Sequence, residues 1–246
     1  MSIPLITLSH GSRKPSAASG ITALTAATGR MLGTEAVEAH LELADPSLDS
    51  AVAQLAAQGV TRAALVPLLF TNAFHNKIDV PEAVREAQDH HGVQLLVGPH
   101  LGTGVDVARV LINTLPHSLP AGAHLILYTV GSSDAAANVA AENLAWELSL
   151  LSGHTVDVAY ATSGPGVGFG GAAVIEAACG HEDVHILPLF VTDGLLLDRV
   201  IDQVDHIAVA TGARITYSTP LKTARAPLVA ARYRAALSEL LTAAHA

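Results

Sequence analysis

The chain carries one pattern twice, at a separation of about 120 residues, and this repeat limits what it can fold into more than any other feature. Gly11-Ser12 returns as Gly131-Ser132, and Val66-Pro67-Leu68-Leu69-Phe70-Thr71 returns as Leu187-Pro188-Leu189-Phe190-Val191-Thr192. Within each copy short apolar runs alternate with longer segments of helical periodicity. In the first copy they predict strands near 3–9, 36–43, 63–70 and 93–97 and helices near 16–32, 47–58, 80–91 and 103–114. In the second, strands fit near 124–130, 155–161, 184–191 and 213–217, and helices near 134–151, 170–179, 195–210 and 226–243. Local punctuation agrees: Asp45 reads as an N-cap with Pro46 at the first helical position, Gly59 ends that helix, and Asp79-Val80-Pro81-Glu82 opens the next in a similar way. Leu115-Pro116-His117-Ser118-Leu119-Pro120-Ala121-Gly122 breaks the pattern and reads as a linker. The expectation is an α/β fold of two similar domains, 1–118 and 119–246. Each would be a parallel β-sheet flanked by helices, the two related by internal duplication with a cleft between them.

In an open parallel sheet, ligands bind beyond the carboxyl ends of the strands. His10 falls just past the first run, Glu42 near the end of the second, and His75 in the loop beyond the third. Two imidazoles and a carboxylate therefore gather on one edge if the three runs share a sheet. Neutral imidazole suits divalent iron, cobalt or nickel, and a carboxylate compensates charge. A single His after a strand is ordinarily a hydrogen-bonded turn residue; three coincident positions favour function. Glu38 and Asp45 are the other acids that could serve in place of Glu42. The repeat supplies a control. His10 falls on Val130, Glu42 on about Ala161 and His75 on Leu196, so the chemical residues are missing from the second copy while the fold-bearing ones survive. The first half should carry the chemistry, and the second should form a wall of the cleft.

Composition removes several classes. A net charge of −9 without a basic stripe argues against nucleic acid as the main partner. No apolar run approaches the roughly 20 residues that span a bilayer, and the start of the chain lacks a signal-peptide pattern, so a cytoplasmic protein is expected. Cys179 is the only cysteine, which excludes disulfides, iron–sulfur clusters and thiolate zinc sites within one chain. The glycine-rich run 163–171 lacks the Lys-Ser/Thr of a phosphate-cradling loop and is expected to be a flexible interdomain loop. His90 and His91 close a helix, where they complement its dipole. Trp146 and Cys179 are expected in the core. Ser12 with His10 gives weak support to a serine hydrolase.

Leu8-Ser9-His10-Gly11-Ser12-Arg13-Lys14-Pro15, Leu41-Glu42-Leu43-Ala44-Asp45-Pro46-Ser47-Leu48 and the stretch from Pro67-Leu68-Leu69-Phe70 through His75 to Asp79-Val80-Pro81 together resemble the class II chelatases of tetrapyrrole biosynthesis. The likeness runs the whole chain, and its two-half length resembles the longer, fused form of sirohydrochlorin chelatase. The resemblance implies insertion of Fe²⁺ into sirohydrochlorin to give sirohaem, with release of two protons. Cobalt insertion on the way to cobalamin is the nearest alternative, and a metal or tetrapyrrole carrier without turnover is another. It implies that His10, His75 and Glu42 are the metal-handling and catalytic residues, that no cofactor is needed beyond the divalent metal substrate, and that the fused chain acts as a monomer. Because the substrate is a polyanion and the chain acidic, Arg13, Lys14, Lys77, Arg199, Lys222 and Arg225 are candidates to pair its carboxylates, with Ser12 beside them. Lys222 and Arg225 are expected to be ordinary solvated charges.

Overall fold

The computed structural model describes residues 2–71, 79–166 and 168–243, with side chains to 238. It contains two four-stranded parallel sheets in two compact units, one comprising Met1–Gly102 with Lys222–Ala246 and the other Thr103–Leu221. The first sheet holds β1 (Leu5–Ser9), β2 (Ala36–His40), β3 (Arg62–Pro67) and β4 (Gln94–Val97) in the order β2-β1-β3-β4. Helices α1 (Pro15–Leu32), α2 (Leu48–Ala57) and α3 (Val80–His91) join them. Alternate residues of the strands face opposite ways. Ile6, Leu8, Ala39, Ala63 and Leu65 meet Leu48, Ala51, Val52 and Leu55 of α2 and Val80, Val84 and Ala87 of α3 in one apolar layer. Thr7 points the other way and bonds Thr25 of α1. Ser47, not Asp45, caps α2 by accepting the Ser50 amide, which leaves Pro46 outside the helix, and Pro81 lies in the first turn of α3.

The second sheet repeats the order with β5 (His124–Gly131), β6 (Val156–Ser163), β7 (Asp183–Pro188) and β8 (Arg214–Tyr217) as β6-β5-β7-β8. Its helical segments are α4 (Val105–Ile112), α5 (Ala135–Ser152), α6 (Gly171–Ala178) and the pair α7 (Leu195–Ile201) and α8 (Val204–Thr211), with α5, α6 and α8 packed on the strands. The helix expected over 195–210 is thus two, divided where the Gln203 amide bonds the Val200 carbonyl in a tighter i→i−3 turn. Ile126, Tyr128, Ala159, Val184 and Ile186 pack against Val174, Leu197, Val200 and Ile207 from α6, α7 and α8.

The units are not the sequence repeats. α4 lies 121 residues before its counterpart α9 (Ala226–Ala243), yet α4 packs on α5 in the second unit, and α9 packs on α1, β3 and β4 in the first. The compact units therefore divide at 102/103 and 221/222 rather than at the linker after 118. Equivalent helices present equivalent apolar faces, Val107-Ala108 in α4 and Leu228-Val229 in α9, so either copy can cover either sheet. Two expected core residues are exposed. Trp146 is 61 % exposed on α5, and Cys179 lies beyond the last turn of α6. Among the described residues no helix is long and apolar enough to cross a membrane.

A buried histidine ties the second unit's stability to pH. His185 in β7 is fully buried, its Nδ1 2.7 Å from Thr216 Oγ1 and its Nε2 2.9 Å from Ser218 Oγ. Burial, aided by His154, pushes its pKa down to about 4. The unfolded chain takes up the proton near 6.5, so the stabilisation is complete above that pH and is lost as pH falls towards 4. The loss is on the order of 3 kcal/mol. Urea unfolding at pH 7.5 and 5 should show a smaller pH effect in His185→Gln than in the unmodified chain, and an equal effect would remove His185 as its source.

Candidate metal-handling site

The end of β1 and the segment after β2 stay zipped beyond the regular strands: the Leu41 amide donates to the Ser9 carbonyl at 2.9 Å and the Glu42 amide to the His10 carbonyl at 3.0 Å. This pairing sets the two side chains next to each other, with His10 Nε2 3.4 Å from Glu42 Oε1. Both reach solvent, at 37 % and 53 % side-chain exposure. Gly11 makes the approach possible. Its φ of +98° belongs to glycine, and a Cβ there would stand 1.7 Å from the Glu42 carbonyl oxygen. Beneath the pair, Ser9 Oγ lies 2.7 Å from Nδ1 of His40, which is 2 % exposed. Burial holds the His40 pKa below its ordinary value, against the opposing pull of Glu38 and Asp45. Sequence reasoning missed His40; the signal was there, since Ser9 and His40 face each other in the β1–β2 register.

Of the predicted residues, the structure brings together His10 and Glu42. His75 and Lys77 lie outside the described residues. The alternative acids are placed elsewhere: Glu38 Oε1 accepts the Thr22 hydroxyl at 3.0 Å, and Asp45 is exposed. Ser12 and Arg13 follow His10 on the same loop, with Arg13 exposed and Lys14 partly buried. The Ser12 hydroxyl accepts the Lys14 amide at 3.2 Å, and Ser132 accepts the Asp134 amide at 3.0 Å in the same way. That shared turn in a copy without a histidine accounts for Ser12 structurally and leaves the hydrolase reading without support. Arg199 is exposed on α7 in the second unit, and its charge counteracts the burial that pushes the Tyr128 pKa up to about 12. Lys222 is exposed as expected, but Arg225 is fully buried. Its guanidinium sits 5.2 Å from the centroid of the Phe70 ring, and burial lowers its pKa to about 9. A hollow of about 450 Å³ beyond β3 and β4 is lined by Pro67, Val80, Arg85, Val97 and His100, among others. Arg85 is a cation there that the sequence did not single out.

The second copy keeps the backbone and lacks the histidine and the carboxylate. Gly131, at φ +84°, would place a Cβ 1.9 Å from the Ser163 carbonyl oxygen. Ser163 therefore stands where Glu42 does: the β5–β6 register shifts by one residue between Thr129 and Gly131, so Ser163 rather than Thr162 meets Gly131, and the expected Ala161 falls short of both. Val130 replaces His10, and Leu196 packs partly buried against the α6–α8 layer. The glycine-rich run is the β6–α6 connection inside the second unit, not an interdomain loop.

Two ligands each about 2.1 Å from one ion stand about 3.0–3.4 Å apart, depending on geometry. The His10–Glu42 separation has that span, and the exposure of both leaves an ion a way in and out.

The CbiX family model matches residues 4–118 and again 124–238. Sirohydrochlorin ferrochelatase of Priestia megaterium is 27 % identical over 209 residues, 81 % of this chain and 77 % of that one. Sirohydrochlorin cobaltochelatase of Sulfurisphaera tokodaii is 32 % identical over 71 residues, 29 % of this chain and 57 % of that one. SirB from Bacillus subtilis with Fe³⁺ superposes with a TM-score of 0.81 at 22 % identity, covering 97 % of this chain and 98 % of that one, which shows a common fold. With the family pattern present over both halves, the chain belongs to the CbiX family as two successive copies.

Proposed function

We propose that the chain is a sirohydrochlorin chelatase that inserts Fe²⁺ to give sirohaem, with its chemistry in the first copy. The observation that carries this reading is the His10–Glu42 pair, 3.4 Å apart, on a backbone whose second copy has Val130 and Ser163 instead. The ring's two pyrrole protons must leave as the metal enters. His10 Nε2 and the Glu42 carboxylate hold the incoming ion, with His75 as the third ligand, and two of these groups, freed as the ring nitrogens take the metal, accept the two protons. Buried His40 keeps Ser9, and hence the end of β1, in place. Ser12, Arg13, Lys77 and Arg199 are proposed to meet the carboxylates of the substrate, with Arg85 as a further candidate. The chain is proposed to be a cytoplasmic monomer that needs no resident cofactor; a stable dimer in light scattering would contradict the monomer.

The test is the anaerobic absorbance of sirohydrochlorin mixed with Fe²⁺, and separately with Co²⁺, in the presence and absence of the protein. Acceleration with Fe²⁺ above Co²⁺ is expected. The likeness to a cobaltochelatase supports cobalt as the second reading, and a reversed ratio would select it. Absence of acceleration with either ion would leave a carrier.

A further inference from the structure

We propose that Asp49, His90 and His91 form a second divalent-metal site in the first unit, sharing no residue with the His10–Glu42 pair. The ion would be of the borderline first-row class that imidazole favours, such as Zn²⁺, Co²⁺ or Ni²⁺. Asp49 stands in the first turn of α2, and the two histidines are the last residues of α3. Asp49 Oδ1 is 2.9 Å from His90 Nδ1 and 3.0 Å from His91 Nε2, and the three donor atoms all lie within 4.8 Å of one another.

Neighbouring residues on a helix project about 100° apart, so two adjacent imidazoles do not converge by default. Here they do so by using different ring nitrogens, the near one of His90 and the far one of His91, with the rings 85° apart. Separations near 3.0 Å are those of adjacent ligands about 2.1 Å from an octahedral ion. The residues are 51 %, 63 % and 22 % exposed, so an ion enters without opening the fold and water fills its remaining positions.

Without an ion, the three residues are held together by hydrogen bonds at one carboxylate oxygen. Asp49 raises the His90 pKa by hydrogen bond and charge, and its own is lowered by the His90 bond first. A carboxylate oxygen can accept from both rings, and both His90 and His91 help to lower the Asp49 pKa. A divalent ion would take the same three convergent atoms as its ligands. A bound ion would also link α2 to α3, which pack directly on each other. The site does not depend on the chelatase reading.

The experiment uses the full chain carrying His10→Ala and Glu42→Gln, so that the first site is disabled. Co²⁺ and Zn²⁺ are titrated by calorimetry, and the histidine Cε1–H resonances are followed with Co²⁺. One bound ion should disappear on adding His91→Ala, and again on adding the isosteric Asp49→Asn, with circular dichroism unchanged. Co²⁺ should broaden the His90 and His91 resonances and spare exposed His206. An ion count that both substitutions leave unchanged, or resonances of His90 and His91 that stay sharp at saturating Co²⁺, would overturn the site. Failure here leaves turnover of sirohydrochlorin untouched, so the two proposals fall separately.

Discussion

His10→Ala is expected to remove the acceleration of metal insertion, by about 10²–10⁴-fold, while the protein stays folded. His10 follows a strand whose five residues are all buried, yet its own side chain is 37 % exposed, so truncation removes a donor and leaves no core cavity. On the proposed reading the imidazole binds the ion and accepts a proton, and neither duty can pass to methyl. Glu42→Gln keeps the shape and removes the charge, and should cost less, about 10–100-fold, because a neutral oxygen still reaches the ion. Val130→Ala, at the matching place of the second copy, should change nothing. The measurement is the anaerobic rate of sirohydrochlorin conversion at fixed Fe²⁺, with circular dichroism as the control of folding. A His10→Ala protein as fast as the parent would move the chemistry out of the first copy's strand edge.

The alternation of strands and helices was legible because the two periods differ and because glycine and proline mark the joints. Pairing two strand ends put His10 beside Glu42, and nothing beyond parallel register was needed to foresee it. What could not be read follows from equivalence and from local detail. α4 and α9 carry the same apolar face, so sequence cannot say which sheet each one covers. α5 is rich in alanine around its whole circumference, so Trp146 gives no sign that it faces water. Arg225 looked like a surface charge because its cover is tertiary: Phe70 of the first repeat meets a residue 155 positions later. Ser163, not Ala161, took the place of Glu42, one residue of the difference coming from a register shift that composition does not announce.

The paired glycines separate what the fold demands from what the site demands. Gly11→Ala puts a methyl 1.7 Å from the Glu42 carbonyl oxygen at a φ of +98°, and Gly131→Ala puts one 1.9 Å from the Ser163 carbonyl oxygen at +84°. Both obstacles are backbone, which cannot swing aside as a side chain does. Each strand end must part from its neighbour, and each substitution should destabilise its own unit by at least about 2–4 kcal/mol. The consequences for chemistry should diverge. Parting the chain at Gly11 breaks the Glu42 amide's bond to the His10 carbonyl, and with it the 3.4 Å relation of the two side chains, so insertion should fall as far as in His10→Ala even where the protein remains folded. Parting it at Gly131 disturbs Val130 and Ser163, which offer neither imidazole nor carboxylate to a metal, and the folded fraction should keep the larger part of its rate. Thermal unfolding of both variants, with insertion rates corrected for the folded fraction, reads the two effects apart. Equal loss of rate in both would mean that the second copy takes part in the chemistry through a group other than those at its own strand edge.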